Sequence, residues 1–180
     1  MARPRLLVAA LLALVALAAI PVTAFVVIPL FAQRTLEEGV PGAASRPTGS
    51  AQPSAPTAAA SPSPAEPREL ASGDLRRIDA VHFGSGRVTI VEAGTARYVR
   101  FEQVDIAAAP NLSLYLSDRR DGDPGNYVDL GPLKATKGSF NQEITAPVDL
   151  LHVGAVVLWC RAFNVTVTYA PLETTRSPQG

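Results

Sequence analysis

The fold is decided by a stretch near the C-terminus, GAVVLWCRAFNVTVTY, which runs from Gly154 to Tyr169. It begins with an apolar run rich in β-branched residues, and such a run predicts a strand that is buried on both faces. After Arg161 the pattern changes to strict alternation. One face would carry Phe163, Val165, Val167 and Tyr169, and the other Asn164, Thr166 and Thr168. This alternation predicts a second, half-exposed antiparallel strand.

Short strands separated by turn signals recur upstream of this pair. The predicted strands are Ile78–Phe83, Arg87–Glu92, Ala96–Val104, Leu112–Ser117, Tyr127–Leu130, Phe140–Ile144, Ala155–Cys160 and Phe163–Tyr169. No stretch of about ten residues shows the 3.6-residue period of a helix. Strands at this spacing predict an all-β fold, a single antiparallel β-sandwich over residues 68–174, with a disordered tail at 175–180.

The N-terminal part has the pattern of a membrane anchor. A basic start, residues 1–5, precedes an almost uncharged apolar run over residues 6–32. As a helix this run would span roughly 40 Å, more than the ~30 Å hydrocarbon core of a bilayer. We therefore expect one transmembrane helix over 6–32. A cleaved signal peptide is the alternative, although its apolar region is usually only about 7–15 residues long.

The charges around this run predict its orientation. Arg3 and Arg5 precede it, whereas Glu37 and Glu38 follow it. The positive-inside bias then places the N-terminus in the cytoplasm and the β-sandwich outside a plasma membrane that the chain crosses once. The composition, rich in Ala, Arg and Pro, is typical of a high-GC bacterium.

The composition of residues 33–67 predicts a disordered linker. They are rich in Ala, Ser, Pro, Thr and Gly, and seven of the 16 prolines of the chain lie between residues 39 and 67. Such a segment buries too little apolar surface to offset the entropy lost on ordering. In an extended polyproline conformation the 29 residues 39–67 would reach at most ~90 Å. The expected role is a tether that lifts the domain off the membrane.

Composition excludes several classes of function. The formal net charge of +0 argues against a nucleic-acid partner, which would require a basic patch. The single cysteine excludes an internal disulfide and every multi-cysteine zinc or iron–sulfur site. No catalytic constellation or metal-ligand cluster is apparent, so the sequence predicts no enzyme beyond, at most, a redox protein.

The only cysteine and the only tryptophan are neighbours, Cys160 and Trp159. A cysteine in an apolar strand commonly serves as a small buried hydrophobe. The alternative is a reactive thiol, because Cys160 ends the predicted strand and Arg161 would favour its thiolate. In a regular strand Trp159 points to the opposite side, where we expect it to pack in the core.

Several motifs resemble the DM-thirteen domain, a family described as an electron-transfer module. They are Gly86-Arg-Val-Thr-Ile90, Tyr98-Val-Arg-Phe-Glu102, Pro110-Asn-Leu-Ser-Leu-Tyr-Leu-Ser117, Asn126-Tyr-Val-Asp-Leu-Gly-Pro-Leu-Lys-Ala-Thr-Lys-Gly138, Val148-Asp-Leu150 and Val156-Val-Leu-Trp-Cys-Arg-Ala-Phe163. They occur in the family's order and span about residues 70–172. The Leu-Gly-x-Leu-Lys and Trp-Cys-x-x-Phe motifs are the most specific.

The resemblance implies a β-sandwich in which Cys160 acts as a redox thiol or as a ligand to a prosthetic group such as haem. The cofactor therefore stays open between haem and none, and no metal site is expected. His82, on the predicted strand end next to Gly84-Ser85-Gly86, is a weaker candidate ligand. His152 is expected at the surface. A redox protein at the cell surface would be the partner. The alternative is a non-redox binding or structural sandwich in which Cys160 only packs.

Overall fold

The computed structural model describes residues 33–42 and 66–175, and ten strands lie within them. They are β1 (Thr35–Glu37), β2 (Arg68–Asp74), β3 (Gly84–Ala93), β4 (Ala96–Ile106), β5 (Leu112–Ser117), β6 (Tyr127–Pro132), β7 (Lys137–Glu143), β8 (Ala155–Cys160), β9 (Val165–Pro171) and β10 (Glu173–Thr174). A short 3-10 helix, Leu150–His152, precedes β8.

The strands form two sheets. The six-stranded sheet has the order β1-β7-β4-β3-β2-β10, and the four-stranded sheet has the order β6-β5-β8-β9. All pairings are antiparallel except that of β1 with β7, which is parallel. The predicted all-β fold is therefore confirmed, and the described residues contain no α-helix.

One continuous core fills the space between the two sheets. The six-stranded sheet contributes Phe101 and Phe140, whose rings stack with centroids 4.7 Å apart. The four-stranded sheet contributes Leu114, Val156 and Leu158, all with no exposed surface. Full burial of each such side chain stabilises the fold by about 1.5–3 kcal/mol. This shared core makes the two sheets a β-sandwich.

The strands that are buried on both faces have the predicted bounds. β5 and β8 begin and end at the predicted residues, and the other predicted strands differ by a few residues, apart from the first. The predicted strand Ile78–Phe83 is wrong, because this segment is an exposed loop. The Asp79 carboxylate accepts hydrogen bonds from the backbone N–H groups of Val81 and His82, which holds a turn that competes with strand pairing.

The strict alternation predicted after Arg161 is also broken. The pairing of β8 with β9 shifts register between Leu158 and Trp159, so that Leu158 faces Thr168 while Trp159 faces Thr166. This bulge leaves Val167 as an extra residue. Val167 packs in the core between the sheets, whereas Tyr169 packs on the opposite face. The sequence predicts that Tyr169 and Val167 share one face of the strand. In the structure they lie on opposite faces.

Part of the predicted disordered linker is ordered. Residues 33–42 lie on the six-stranded sheet, where β1 pairs with β7, and β2 begins at Arg68. Residues 43–65 lie outside the described part of the chain, as do the predicted cytoplasmic start, the predicted transmembrane helix and tail residues 176–180. Over residues 33–42 and 66–175, no helix has the length and apolar character needed to cross a membrane.

Candidate functional site

Cys160 lies inside the sandwich. It is the last residue of β8, its side chain has no exposed surface, and it belongs to the core between the two sheets. Its neighbours on adjacent strands are Leu112 of β5 and Val165 of β9. The thiol donates a hydrogen bond to the backbone carbonyl oxygen of Pro110, with the two atoms 3.2 Å apart. Although Cys160 ends its strand, as the reactive-thiol alternative requires, its sulfur is not exposed.

This environment favours the neutral thiol. A thiolate has no proton to donate to the Pro110 carbonyl, and it would be uncompensated in an apolar core. Arg161 does not stabilise a thiolate either. Its guanidinium pairs with the Asp129 carboxylate and lies over the ring of Tyr115, 5.8 Å from the centroid. Cys160 is thus a buried side chain, bonded to a backbone carbonyl and without contact with solvent.

Trp159 lies on the outer face of the four-stranded sheet, the face turned away from the six-stranded sheet. It points to the side opposite Cys160, as predicted, but it does not pack in the core between the sheets. It is partly buried in a separate cluster that contains Tyr115, Val157 and Tyr169. The chain therefore places an oxidisable indole and a buried thiol on consecutive residues and on opposite sides of one strand.

Three aromatic rings form a stack on this outer face, which we call the aromatic stack: Tyr127, Tyr115 and Trp159. Tyr115 and Tyr127 have centroids 4.1 Å apart and planes inclined by 14°. Tyr115 and Trp159 have centroids 6.4 Å apart and planes inclined by 26°. Such pairs contribute about 0.5–1.5 kcal/mol each beyond area burial.

The aromatic stack joins the interior of the sheet to its surface. Tyr115 is 3% exposed, whereas Tyr127 is 49% exposed. The stack depends on the β5–β6 register, in which Tyr115 faces Asp129 and Ser117 faces Tyr127. Strand alternation alone could not reveal this arrangement.

An open cleft of about 630 Å³ lies beside Trp159 on the same face. Its polar rim includes Arg77, Asp121 and Asp123. The carboxylate of Asp121 is already paired with Arg119, whose hydrogen bond lowers the pKa of Asp121 from 3.8 to about 2. The cleft therefore presents an aromatic wall with an ionised acidic edge.

His82, the weaker predicted ligand, lies in the loop that follows β2. Its Nδ1 atom is 2.7 Å from Oδ2 of Asp79, with which it shares a hydrogen bond. That bond, together with the backbone N–H groups of His82 and Val81, lowers the pKa of Asp79 from 3.8 to about 2. Cys160 is in the closed core, whereas the His82 side chain is 31% exposed. The structure does not bring the two predicted site residues into contact.

His152 lies at the surface, as expected. Its side chain is 82% exposed, and its Nδ1 is 2.9 Å from Oδ2 of Asp149. Both histidines therefore have a carboxylate partner in a local turn. In the described part of the chain no group of three or more His, Cys, Asp or Glu side chains could hold a metal ion.

The residues present do not fit a haem in this conformation. An axial thiolate would have to come from Cys160, yet its sulfur has no exposed surface and its proton is bonded to the Pro110 carbonyl. The surrounding core residues, among them Leu112 and Leu158, leave its side chain no open space. We therefore derive no step that involves a haem.

Comparison with known proteins gives one positive result. The family described as "Electron transfer DM13" matches residues 78–172, which includes β3 to β9 and both predicted site residues. No curated protein and no solved structure shows a significant match to the chain. Because residues 78–172 make up more than half of the 180-residue sequence, the chain belongs to the DM13 family.

Proposed function

We propose that this protein is an electron-transfer module on the extracytoplasmic side of the plasma membrane, anchored by its N-terminal apolar run, with Cys160 as its redox-active group. The family description supports the redox role. A second observation supports the proposal: Cys160 directly follows Trp159 in β8, and Trp159 belongs to the aromatic stack. A buried thiol and a surface tyrosine are thereby linked by one chain of oxidisable side chains.

Burial of Cys160 selects between two kinds of redox chemistry. Thiol–disulfide exchange requires a thiolate that contacts the sulfur of a partner disulfide. The fully buried thiol of Cys160 offers no such contact. Transfer of a single electron needs no contact with the sulfur, only a short path to the surface. The geometry therefore favours one-electron exchange.

The proposed step removes one electron and one proton from the Cys160 thiol. The S–H bond breaks, the electron passes to a one-electron acceptor protein at the surface, and a thiyl sulfur remains. The proton, bonded to the Pro110 carbonyl, is released to water beside the next residue, Asn111, which is exposed. A one-electron donor reverses the step. Trp159 and Tyr127 are the points at which the partner would dock.

The anchoring rests on the sequence of residues 6–32 and on the basic residues that precede it. With this anchor the sandwich would lie outside the plasma membrane, where the proposed partner is a redox protein at the cell surface. Lipid is accordingly the second partner, held through the apolar run.

A test of the redox role uses the full chain in detergent and hexachloroiridate(IV), a bulky outer-sphere oxidant of one electron. We expect the wild type to consume one oxidising equivalent per chain more than Cys160→Ala. Tyr127→Leu should slow that consumption about tenfold or more, while Tyr98→Leu, a tyrosine outside the aromatic stack, should leave it unchanged.

The same preparations, expressed in a haem-competent host, are examined by absorbance with and without dithionite. Equal consumption by wild type and Cys160→Ala, together with the absence of any reducible chromophore, would overturn the redox proposal.

The second candidate function is a non-redox binding or structural sandwich in which Cys160 only packs. The complete burial of its side chain and its bond to Pro110 favour this reading. The cleft beside Trp159, with its aromatic wall and acidic edge, would then be the binding surface. Under this candidate, Cys160→Ala alters stability but leaves the oxidant titration unchanged.

A further inference from the structure

Residues 33–42 are built into the domain. β1 extends the edge of the six-stranded sheet by pairing in parallel with β7, so that Leu36 lies opposite Gly138. The backbone carbonyl of Arg34 accepts hydrogen bonds from the N–H groups of Thr136 at 2.9 Å and Lys137 at 3.0 Å. The side chain of Leu36 packs against the core. β1 lies outside residues 78–172, so it is an addition to the part that matches the family.

A buried arginine depends on this segment. Arg100, on β4, is 8% exposed, and its guanidinium donates to the carbonyl oxygens of Glu38 at 3.3 Å and Gly39 at 3.0 Å. The Glu38 carboxylate in turn accepts hydrogen bonds from Asn141 of β7. Without residues 33–42, Arg100 would lose two acceptors in a setting where an unsatisfied charged group is costly.

The pairing of β1 with β7 leaves no room for a side chain at Gly138. A Cβ atom at this position would lie 2.2 Å from the carbonyl oxygen of Leu36 and 2.5 Å from Oε1 of Glu37. Gly138 also has a φ of +97°, which L-residues rarely adopt. Gly131 has a similar φ of +85° but no atom within 4 Å of a Cβ built there. The two glycines thus separate the effect of β1 from that of backbone strain.

The segment 43–65 connects two points that already lie side by side. A Cβ atom built on Gly42 would be 3.6 Å from Cγ of Pro67 and 3.1 Å from Cβ of Ala93. Both ends of the segment are therefore fixed to the same domain. Its length cannot set the distance between the domain and anything that precedes β1.

We infer that the sandwich lies directly against the lipid surface, with its β1–β7 edge nearest to the bilayer. This rests on the proposed membrane anchor, which ends at Ala32. From Ala32 to Arg34, where pairing with β7 begins, two extended residues span at most about 7 Å. The proline-rich segment follows β1, so it does not lift the domain. The tether expected from the sequence is thereby replaced by a short rigid junction.

The charges at this edge are mixed. Arg34 is exposed, and Lys134 and Lys137 have side chains that are 48% and 38% exposed. Basic residues are attracted to an anionic bilayer. Glu37 is also exposed, however, and Lys134 and Lys137 lie near the carboxylates of Glu38 and Asp105, so the acidic residues offset the basic ones. The lipid contact therefore rests on the short junction and not on charge.

Energy transfer between the domain and a dye at the bilayer surface tests the inference. The full chain is placed in vesicles of phosphatidylcholine and phosphatidylglycerol, with a donor on the exposed Leu151→Cys in a Cys160→Ala background. Deletion of residues 46–60 should leave the transfer efficiency unchanged. Insertion of a Gly/Ser segment of the same length between Ala32 and Gln33 should lower it, because such a chain has an end-to-end distance of about 20 Å.

Gly138→Ala supplies the structural control. This variant should displace β1, which lowers the transfer efficiency and makes that efficiency sensitive to deletion of residues 46–60. Gly131→Ala should leave the transfer efficiency unchanged. If the unmodified chain stays in the vesicles but deletion and insertion change the transfer efficiency equally, the lipid contact is overturned while the anchor proposal stands. Release of the unmodified chain from the vesicles by carbonate would overturn the anchor proposal, and the lipid contact with it.

Discussion

The Cys160 thiol donates its proton to the carbonyl oxygen of Pro110, 3.2 Å away, inside a closed core. This single contact ties the end of β8 to the connection between β4 and β5. It also narrows the redox roles that the sequence left open for Cys160. A buried thiol whose proton is bonded to a backbone carbonyl is poorly placed to attack a disulfide. One-electron chemistry and plain packing are the roles that this geometry permits.

The first prediction is that Cys160 is protected from labelling in the folded protein. Maleimide or disulfide reagents require the thiolate at the surface, so reaction must wait for the core to open. For a domain of ordinary stability, open molecules are rarer than about one in a thousand. We therefore expect labelling of the full chain to be at least about 1,000-fold slower without urea than in unfolding urea.

The matched control is Leu151→Cys in a Cys160→Ala background, because Leu151 is 87% exposed. This thiol should react at nearly the rate of a free peptide. Labelling of Cys160 at a comparable rate would contradict the closed core and favour the reactive thiol.

The second prediction concerns stability. Cys160→Ala removes a small buried side chain and should lower the free energy of unfolding by about 1–2 kcal/mol, measured in urea. Cys160→Ser should cost at least as much, since its hydroxyl is more costly to bury even with the Pro110 acceptor in place. Phe163→Ala, at a residue 66% exposed in the following turn, should stay within about 0.5 kcal/mol. An Ala variant as stable as the wild type would show that the core around residue 160 is loosely packed.

The sequence predicted the strands that are buried on both faces better than it predicted anything else. β8 is a continuous apolar run and β5 is mostly apolar with two serines, and each strand ends where burial ends. Strand alternation also placed Cys160 and Trp159 on opposite sides. Which side is the core, however, depends on the sheet that covers it, and that information is not local. The sequence therefore predicts Trp159 in the core between the sheets, whereas it lies on the outer face of the four-stranded sheet.

The elements that were missed depend on distant partners. Thr35–Glu37 has no strand signal of its own and is ordered by β7, about a hundred residues away. The aromatic stack needs the β5–β6 register. Conversely, the segment Ile78–Phe83 has apolar residues but pairs with no strand, and Ile78 and Val81 remain 47% and 70% exposed. A periodic pattern predicts a strand only where another element buries one of its faces.

The third prediction is a low carboxyl pKa for Asp79. The hydrogen bond from His82 is the largest cause of the shift from 3.8 to about 2. Because the folded-state pKa is depressed, the stabilisation is complete above pH 3.8 and is lost as the pH falls towards 2. An NMR titration of the carboxyl carbons should show this pKa, and His82→Ala should raise it towards 3.8. His152→Ala, which removes the other histidine, should not move it; a wild-type value near 3.8 would refute the Asp79–His82 bond.

The fourth prediction addresses the buried guanidinium of Arg100. Arg100→Met keeps the apolar stem but removes the donor to the Glu38 carbonyl and one of the two donors to the Gly39 carbonyl, the other being Asn141, so we expect a loss of about 2–3 kcal/mol in the free energy of unfolding. Hydrogen exchange of the amides of residues 35–38 should accelerate at the same time. Arg87→Met, at a side chain 48% exposed on β3, should cost less than about 1 kcal/mol. Unchanged exchange in Arg100→Met would mean that β1 is held by its backbone pairing alone.

The fifth prediction uses the contrast between two consecutive residues of β8. Trp159 is the only tryptophan, so its fluorescence reports on the outer face alone. Because it is only partly buried beside an open cleft, acrylamide should quench it to an intermediate degree under conditions in which the Cys160 thiol stays unlabelled. Tyr115→Ala should increase that quenching, since it removes the ring on which Trp159 packs, whereas Tyr98→Ala should not. An unquenched Trp159 together with a labelled Cys160 would mean that the two faces of β8 are reversed, and the aromatic stack could then not serve as the route between the thiol and the surface.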